Sequence, residues 1–356
     1  MKILLIAIRG GRGAPGVPPG DFSYEYYNFF NTLKNMDNKR HAVEYFPYDE
    51  LTVRYGKEKM NRLLLDKVTE DRPDLCFFVY SHEIKKDTVK EIRKRGILTY
   101  NWFTDDIWRF DSFSKHYAWL FDYVSTTDSV AFRRYGEIGY RNAIKTQFGC
   151  NHFLYRPVKA RESHGVSFVG QGYGGRSRTV EGLSRSGIDT ECWGIGWKNG
   201  AASQKEMIRI FSNSRINLNF SASSPSTRMT LKDFGAIFLR KEMDNRKRFY
   251  DAREWIPRFM LKIKKQTRRQ IKGRTFEISG CGGFQLCEYA DDIENYYVPG
   301  KEIAIFDNSG RLAEEVGYYL ENDKERKKIA LGGYKRTIRD HTYERRFNAI
   351  FKTMGL

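Results

Sequence analysis

The run Ile3-Leu4-Leu5-Ile6-Ala7-Ile8, closed at once by Arg9-Gly10-Gly11-Arg12-Gly13, decides the fold class. Six apolar residues without polar alternation describe a strand buried on both faces, the environment of a parallel sheet, and the glycine-rich stretch ends it as a loop. Working outward, similar runs recur at 42–46, 75–80, 97–103, 123–127 and 143–148. The intervening stretches 24–33, 57–68, 84–95, 113–121 and 129–135 carry apolar residues at helical spacing. Strand alternating with helix predicts an α/β doubly wound sheet. After the polar stretch Lys159-Ala160-Arg161-Glu162-Ser163-His164-Gly165 the alternation restarts, with strands expected at 166–169, 190–193, 216–220, 284–288 and 303–306. From Gly310 onward the chain reads as consecutive helices at 311–320, 324–338 and 343–354. A chain of 356 residues accommodates two such domains, here 1–160 and 161–340, with a last helix in 341–356.

The formal charge of +18 points to a partner carrying negative charge, whether nucleic acid, anionic lipid or a phosphorylated small molecule. Much of the excess is local. Residues 240–274 hold 14 Lys or Arg against Glu242, Asp244, Asp251 and Glu254, so 240–270 reads as a basic insertion in the second domain. Within it Trp255, Ile256, Phe259, Met260 and Ile263 fall on one side of a helix and Arg258, Lys262, Lys265 and Arg269 largely on the other, with Pro257 in the first turn. Such a helix suits an anionic membrane surface, and equally a helix docked on its own domain with a solvated basic face. A nucleic-acid stripe is the third reading, without a recognition motif beside it. Met1–Ile8 is too short for a signal peptide and no apolar run approaches the roughly 20 residues of a membrane span, so the expected location is cytoplasmic. Five cysteines without a C-x-x-C fit neither a disulfide framework nor a zinc site and are expected as buried thiols.

Two glycine clusters carry the chemistry. Gly170-Gln171-Gly172-Tyr173-Gly174-Gly175 follows a strand, precedes a helix expected from Arg176, and spells G-x-G-x-x-G. Backbone N–H groups there can approach a pyrophosphate, and Asp189 and Glu191 stand near the offset of a ribose-binding acid, so a nicotinamide-dependent oxidoreductase is one reading. Arg176 and Arg178 suit a phosphate met by side chains, and a plain glycine turn accounts for the same letters. The second cluster, Lys272-Gly273-Arg274-Thr275-Phe276-Glu277-Ile278-Ser279-Gly280-Cys281-Gly282-Gly283-Phe284, places Arg274 at a helix N-terminus that favours phosphate. Glu277 lies a turn further on, able to accept hydrogen bonds from a vicinal diol. Gly282 and Gly283 allow a tight turn into the next strand. In the first domain the loop Gly10–Gly16, His82 after its strand and Asp105-Asp106 after theirs sit where a cleft opens; Asp105 is favoured as a base or orienting group for a hydroxyl. An Asp-Asp pair also suits Mg²⁺, and an Asp capping the next helix or a satisfied histidine explains each residue singly.

The run 272–284, with Gly300-Lys301-Glu302-Ile303-Ala304-Ile305-Phe306-Asp307, Glu325-Arg326-Lys327-Lys328-Ile329-Ala330 and His341-Thr342-Tyr343-Glu344-Arg345-Arg346, resembles the C-terminal half of CgeB-like proteins, group 1 glycosyltransferases of GT-B fold. The match is densest over 270–346 and looser over the first domain. It implies two Rossmann-like domains facing across a cleft, C-terminal helices that cross back to the first, and metal-independent, retaining transfer of a hexosyl group. The donor would be a UDP-, GDP- or dTDP-sugar bound as substrate, with no tightly bound cofactor. The acceptor would be a hydroxyl of a glycan or lipid-linked molecule in cell-surface polysaccharide or glycoconjugate synthesis, at the inner face of the membrane if the basic insertion binds there. By position, Glu277 resembles the ribose-holding second glutamate of the family's pair; where the first is expected this sequence has Arg269. Lys272 and Arg274 resemble diphosphate contacts, and Gly170, Gly172, Tyr173 and Arg176 the phosphate-side loop.

Overall fold

The computed structural model describes residues 1–10, 20–158, 162–173, 175–221, 238–243, 246–263, 268–307 and 310–356. Strands β1 (Lys2–Ala7), β2 (Ala42–Pro47), β3 (Leu75–Phe78), β4 (Leu98–Phe103), β5 (Tyr123–Thr126) and β6 (Ala143–Lys145) form one sheet in the order β2-β1-β3-β4-β5-β6. All its pairings are parallel. A second parallel sheet contains β7 (His164–Val169), β8 (Thr190–Trp193) and β9 (Ser214–Asn219). The chain then makes a hairpin of β10 (Leu239–Lys241) and β11 (Lys247–Phe249). It returns to the second sheet as β12 (Gln285–Glu288) and β13 (Ala304–Phe306), giving the order β13-β12-β9-β7-β8. In each sheet the first strand lies inside the second, so winding reverses beside β1 and beside β7. Such reversals open a crevice beyond the carboxyl ends of the strands.

The apolar run that opens the chain is buried from both sides. Leu4 and Ile6 pack with Met60, Leu64 and Val68 of the helix Lys57–Asp71. Ile3, Leu5 and Ala7 pack with Tyr343, Phe347, Ile350 and Phe351 of the last helix, Tyr343–Met354. Each such Ile or Leu contributes roughly 1.5–3 kcal/mol by leaving water. The C-terminal helix therefore crosses from the second sheet's side to cover the first. Its entry is fixed by Cys150, whose N–H donates to His341 O at 2.8 Å and whose carbonyl accepts from the Tyr343 N–H at 3.0 Å. All five cysteines are free and buried.

The basic insertion departs from the sequence reading in two ways. Its first part is the hairpin β10–β11, which the density of Lys and Arg hides from a hydrophobic-pattern reading. Its helix, Trp255–Ile263, turns Arg258 inward, onto the Tyr250 ring and Glu254, while Ile256 is 76% exposed and Phe259 and Met260 also face out. Fully buried Glu254 also accepts from the Tyr117 hydroxyl at 2.8 Å, and buried Glu242 is held by Lys57, Arg240 and Arg248. The insertion is thus clamped to the first sheet's helices by its acids. Arg269 lies beyond that helix and pairs with Glu288 at 3.4 Å. The stretches Gly11–Gly16, Lys159–Arg161 and the residues Gly174, Asp244 and Lys265 lie outside the described residues, and the Lys262 and Ile263 side chains do too.

Candidate active site

Both crevices face each other, and a cavity of about 310 Å³ fills the space between them. One wall comes from the segment 21–28 after β1; the other from Gly170 and Gln171 after β7, Trp193–Ile195 after β8, Ala202, Met207, Tyr155 and Arg274. The size and the mixture of apolar walls with few polar groups suit a small-molecule ligand. Arg274 reaches it from the first turn of the helix Gly273–Gly280, where the unpaired backbone amides and the helix dipole favour an anion. Gly273 has to be glycine: a Cβ there would lie 2.2 Å from the Tyr24 hydroxyl, which packs over the helix start and hydrogen-bonds Tyr343 at 2.8 Å.

Glu277 stands directly behind this wall, with none of its surface exposed. Its Oε1 accepts from the Tyr155 hydroxyl at 2.8 Å and from Asn28 Nδ2 at 3.2 Å, and its Oε2 pairs with Arg274. Burial works against the Arg274 charge, and Glu277 more than restores it, so the guanidinium stays protonated. Three donors that line the cavity therefore converge on one buried carboxylate. Lys272 caps the same helix and bonds Gln270 at 2.9 Å. Burial lowers its pKa to about 8, against the pull of Asp105 and with the push of Arg176. Lys272 itself lines neither this cavity nor the one described below.

The phosphate-side loop differs from a free glycine cradle. Gly170 N–H donates to Trp193 O and Gly172 N–H to Ile195 O, each at 2.8 Å, so these glycines extend the β7–β8 pairing. The approach is close enough that a Cβ on Gly194, φ +135°, would meet Gly170 O at 2.2 Å. Arg176, nearly buried, donates to Gln171 O at 3.0 Å and stacks on exposed Tyr173, 4.6 Å from its centroid. Gly282 and Gly283 line neither this cavity nor the one described below. They turn the chain out of the helix, Gly282 at φ +71° and Gly283 against the Phe211 carbonyl.

In the first sheet Asp105 and His82 part company. Asp105 lines a second cavity after β3 and β4, and its side chain does not cap the helix Asp106–Arg109 that follows it. Asp106 is buried and accepts from the Tyr135 hydroxyl at 3.0 Å, a structural role. His82 lines neither cavity. It lies under the basic insertion among Phe113, Tyr117 and Tyr250, 3.8 Å from Glu254. Burial, with Arg240, Arg109 and Arg258 adding to it, lowers its pKa well below the ordinary value. Among the described residues no group of three or more His, Cys, Asp or Glu is placed to hold a metal ion, and no helix is long and apolar enough to cross a membrane.

Residues 240–352, which contain the helix Gly273–Gly280 and the second glycine cluster but not the first, match the glycosyl transferase-like family. The spore protein CgeB of Bacillus subtilis (strain 168) is 21% identical over 79% of this chain and 82% of its own. The chain is similar to CgeB-like proteins, has the GT-B fold and carries out glycosyl transfer. Solved structures share that architecture over nearly their whole length. Anabaena HepE, solved with UDP-glucose, covers 100% of this chain and 99% of its own at a TM-score of 0.62 and 11% identity. The sucrose-phosphate synthase of Thermosynechococcus elongatus covers 99% and 97% at 0.60 and 9%.

In this glycosyltransferase several cavity residues escaped the sequence reading. Glu25 and Asn28 sit within the aromatic stretch Tyr24–Phe30, which reads as a plain core helix. Their spacing of three, two polar residues on one face of an apolar run, was the available signal. The helical segment there begins with wider π-type turns over Tyr26–Phe30 before the α-helical Asn31–Asn35, a distortion frequent at functional sites. Tyr155 belongs to no regular element and had no signal.

Proposed function

We propose that the glycosyltransferase binds a nucleoside diphosphate sugar in the larger cavity and transfers a hexosyl group, with retention, to a hydroxyl of a glycan or lipid-linked acceptor. The observation that carries this reading is the convergence of Arg274, Tyr155 and Asn28 on buried Glu277 at a helix N-terminus facing the cleft. The apolar side, Trp193, Ala202 and Met207, receives the base and Arg274 faces the diphosphate, with the charges of Lys272 and Arg176 behind that wall. Negative charge grows on the departing phosphate as the glycosidic bond breaks, and fixed cations there lower the barrier. Glu277 acts through Arg274 as a positioning residue, in place of the direct ribose contact that the resemblance implies. The first sheet with residues 1–160 serves the acceptor and 161–340 the donor.

A thermal-shift panel of UDP, GDP, dTDP, ADP, CMP and NAD(H), each with and without Mg²⁺, tests this. UDP comes first, as the ligand of HepE. One nucleoside diphosphate at about 100 times its Kd should add about 2.7 kcal/mol of stability without metal. Stabilisation by NAD(H) alone would return the argument to Gly170–Gly175 and an oxidoreductase. Gly170 and Gly172 having spent their N–H groups on Trp193 and Ile195 speaks against that outcome.

The exposed Phe249, Ile256, Phe259 and Met260, ringed by Arg246, Lys247, Arg248 and Arg253, support a further part of the reading: attachment to an anionic membrane surface on its cytoplasmic side. Paired substitution of Ile256 and Phe259 by Asp should reduce sedimentation with phosphatidylglycerol vesicles at least tenfold while leaving nucleotide binding intact. Unchanged sedimentation would remove the membrane from the reading, and salt-sensitive binding to DNA or RNA by the same segment would replace it.

A further inference from the structure

The second cavity, about 200 Å³, opens beyond the carboxyl ends of β3 and β4. Among the described residues, Glu25 is the one side chain that lines both it and the donor cavity. Two of its wall groups are unsatisfied. Trp102 is only 1% exposed and its indole N–H has no hydrogen-bond partner, and Glu25 Oε2 is shielded from water with none. Buried polar groups are normally paired, so groups left open on the wall of a cavity mark a place where a ligand completes them. Burial raises the Glu25 pKa to about 6, with hydrogen bonds from its own backbone and Ser23 opposing and the nearby Asp49 and Asp105 adding to it.

The rest of the wall selects among ligands. Tyr48, Phe103 and Phe113 supply apolar faces, and Ser81, Thr104 and Asp105 supply hydroxyl and carboxylate acceptors. A sugar ring presents the complement: C–H faces and hydroxyl donors. Two carboxylates against the single guanidinium of Arg109 disfavour an anionic ligand. The donor's diphosphate is drawn instead to Arg274, which lines the larger cavity.

The geometry points to the second cavity as a subsite for an uncharged sugar ring of the acceptor, with Glu25 accepting a hydrogen bond from the hydroxyl that faces the donor. This rests on the donor reading above and adds the acceptor's chemical class and the residue that orients it. Glu25 then determines acceptor specificity from a position where both substrates touch it.

Saturation-transfer NMR on the full chain, with the best-binding nucleoside diphosphate present, tests the assignment. The probes are methyl α- and β-glucoside, methyl β-galactoside, N-acetylglucosamine and glucuronate. A neutral sugar should receive saturation, glucuronate should not, and Glu25→Gln should weaken the neutral sugar roughly tenfold, the loss expected for a charged hydrogen-bond acceptor. Ser81→Phe, which fills the cavity, should abolish the sugar signal and change nucleotide affinity less than twofold. If the nucleotide binds but no neutral sugar does, or if the sugar signal survives Ser81→Phe in a folded protein, the subsite is wrong and the donor reading stands. If no nucleotide binds, the donor reading falls first, and this assignment falls with it.

Discussion

Glu277→Ala is expected to abolish sugar transfer and to lower unfolding free energy by about 3 kcal/mol, the low end of what breaking one half of a buried ion pair costs. Three groups depend on this carboxylate: Arg274, the Tyr155 hydroxyl and the Asn28 amide. Removing it strands a guanidinium at the cavity wall, leaves the Asn28 amide without that acceptor and leaves the Tyr155 hydroxyl only the longer bond to Gln204 Oε1 at 3.4 Å. Glu277→Gln keeps the volume and an acceptor oxygen, so it should lose less stability while still losing most activity, because Arg274 is no longer held. Urea midpoints by circular dichroism, read beside transfer rates, separate the two effects. Full activity in either variant would remove Glu277, and with it Arg274, from the machinery. An inactive alanine variant of unchanged stability would mean that the ion pair is not the anchor described above.

The fold was readable because its signals are redundant. Continuous apolar runs such as Ile3–Ile8 admit few environments besides a two-sided parallel strand, and the restart of alternation after 165 separated the two sheets without any knowledge of contacts. The C-terminal helices were legible for the same reason. Pattern alone left orientation open. The pattern of helix 255–263 fitted either an apolar face turned to a membrane or one docked on the protein, and the structure departs from the docked alternative: Arg258 is turned inward, because buried Glu254 and the Tyr250 ring compensate it there, and Ile256 is exposed. Periodicity states that two faces exist; which one is buried depends here on Glu254 and Tyr250 nearby and, through Glu254, on Tyr117, 137 residues away in sequence. His82 shows the same limit. A position after a parallel strand is correct for a cleft residue, but the insertion that covers it arrives from residues 250–254.

The candidate site divides in a similar way. Lys272, Arg274 and Glu277 were legible because a helix start brings near neighbours in sequence together in space. Gly282 and Gly283 were legible as a turn, and the structure uses them as one. Glu25, Asn28 and Tyr155 reach the same site from elements about 120–250 residues distant from the helix they join, and nothing local in the chain announces that meeting. Long-range convergence also explains why this region tolerates a buried carboxylate. Its cost is offset only when all three donors have arrived, which ties completion of the site to docking of segment 21–28 against the helix 273–280.

Lys272→Ala should reduce kcat/KM for the donor roughly 100- to 1,000-fold, the range for removing one preorganised group that stabilises developing charge, with little change in stability. Its ammonium donates to Gln270 Oε1 at 2.9 Å. The pH profile gives the sharper signature. Burial holds the free enzyme's Lys272 near 8, so the lysine is charged below that pH and neutral above it. Since kcat/KM reports the free enzyme, it should fall about tenfold per pH unit once pH exceeds about 8, the sign of losing a cation that attracts an anionic donor. A bound diphosphate favours the charged form, so the corresponding limb in kcat should move to higher pH. Lys272→Arg, charged at all accessible pH values, should flatten the alkaline limb even if its geometry lowers the rate. An alkaline limb that persists unchanged in Lys272→Arg would assign the titration to another group and leave Arg274 and Arg176 to meet the diphosphate without the lysine.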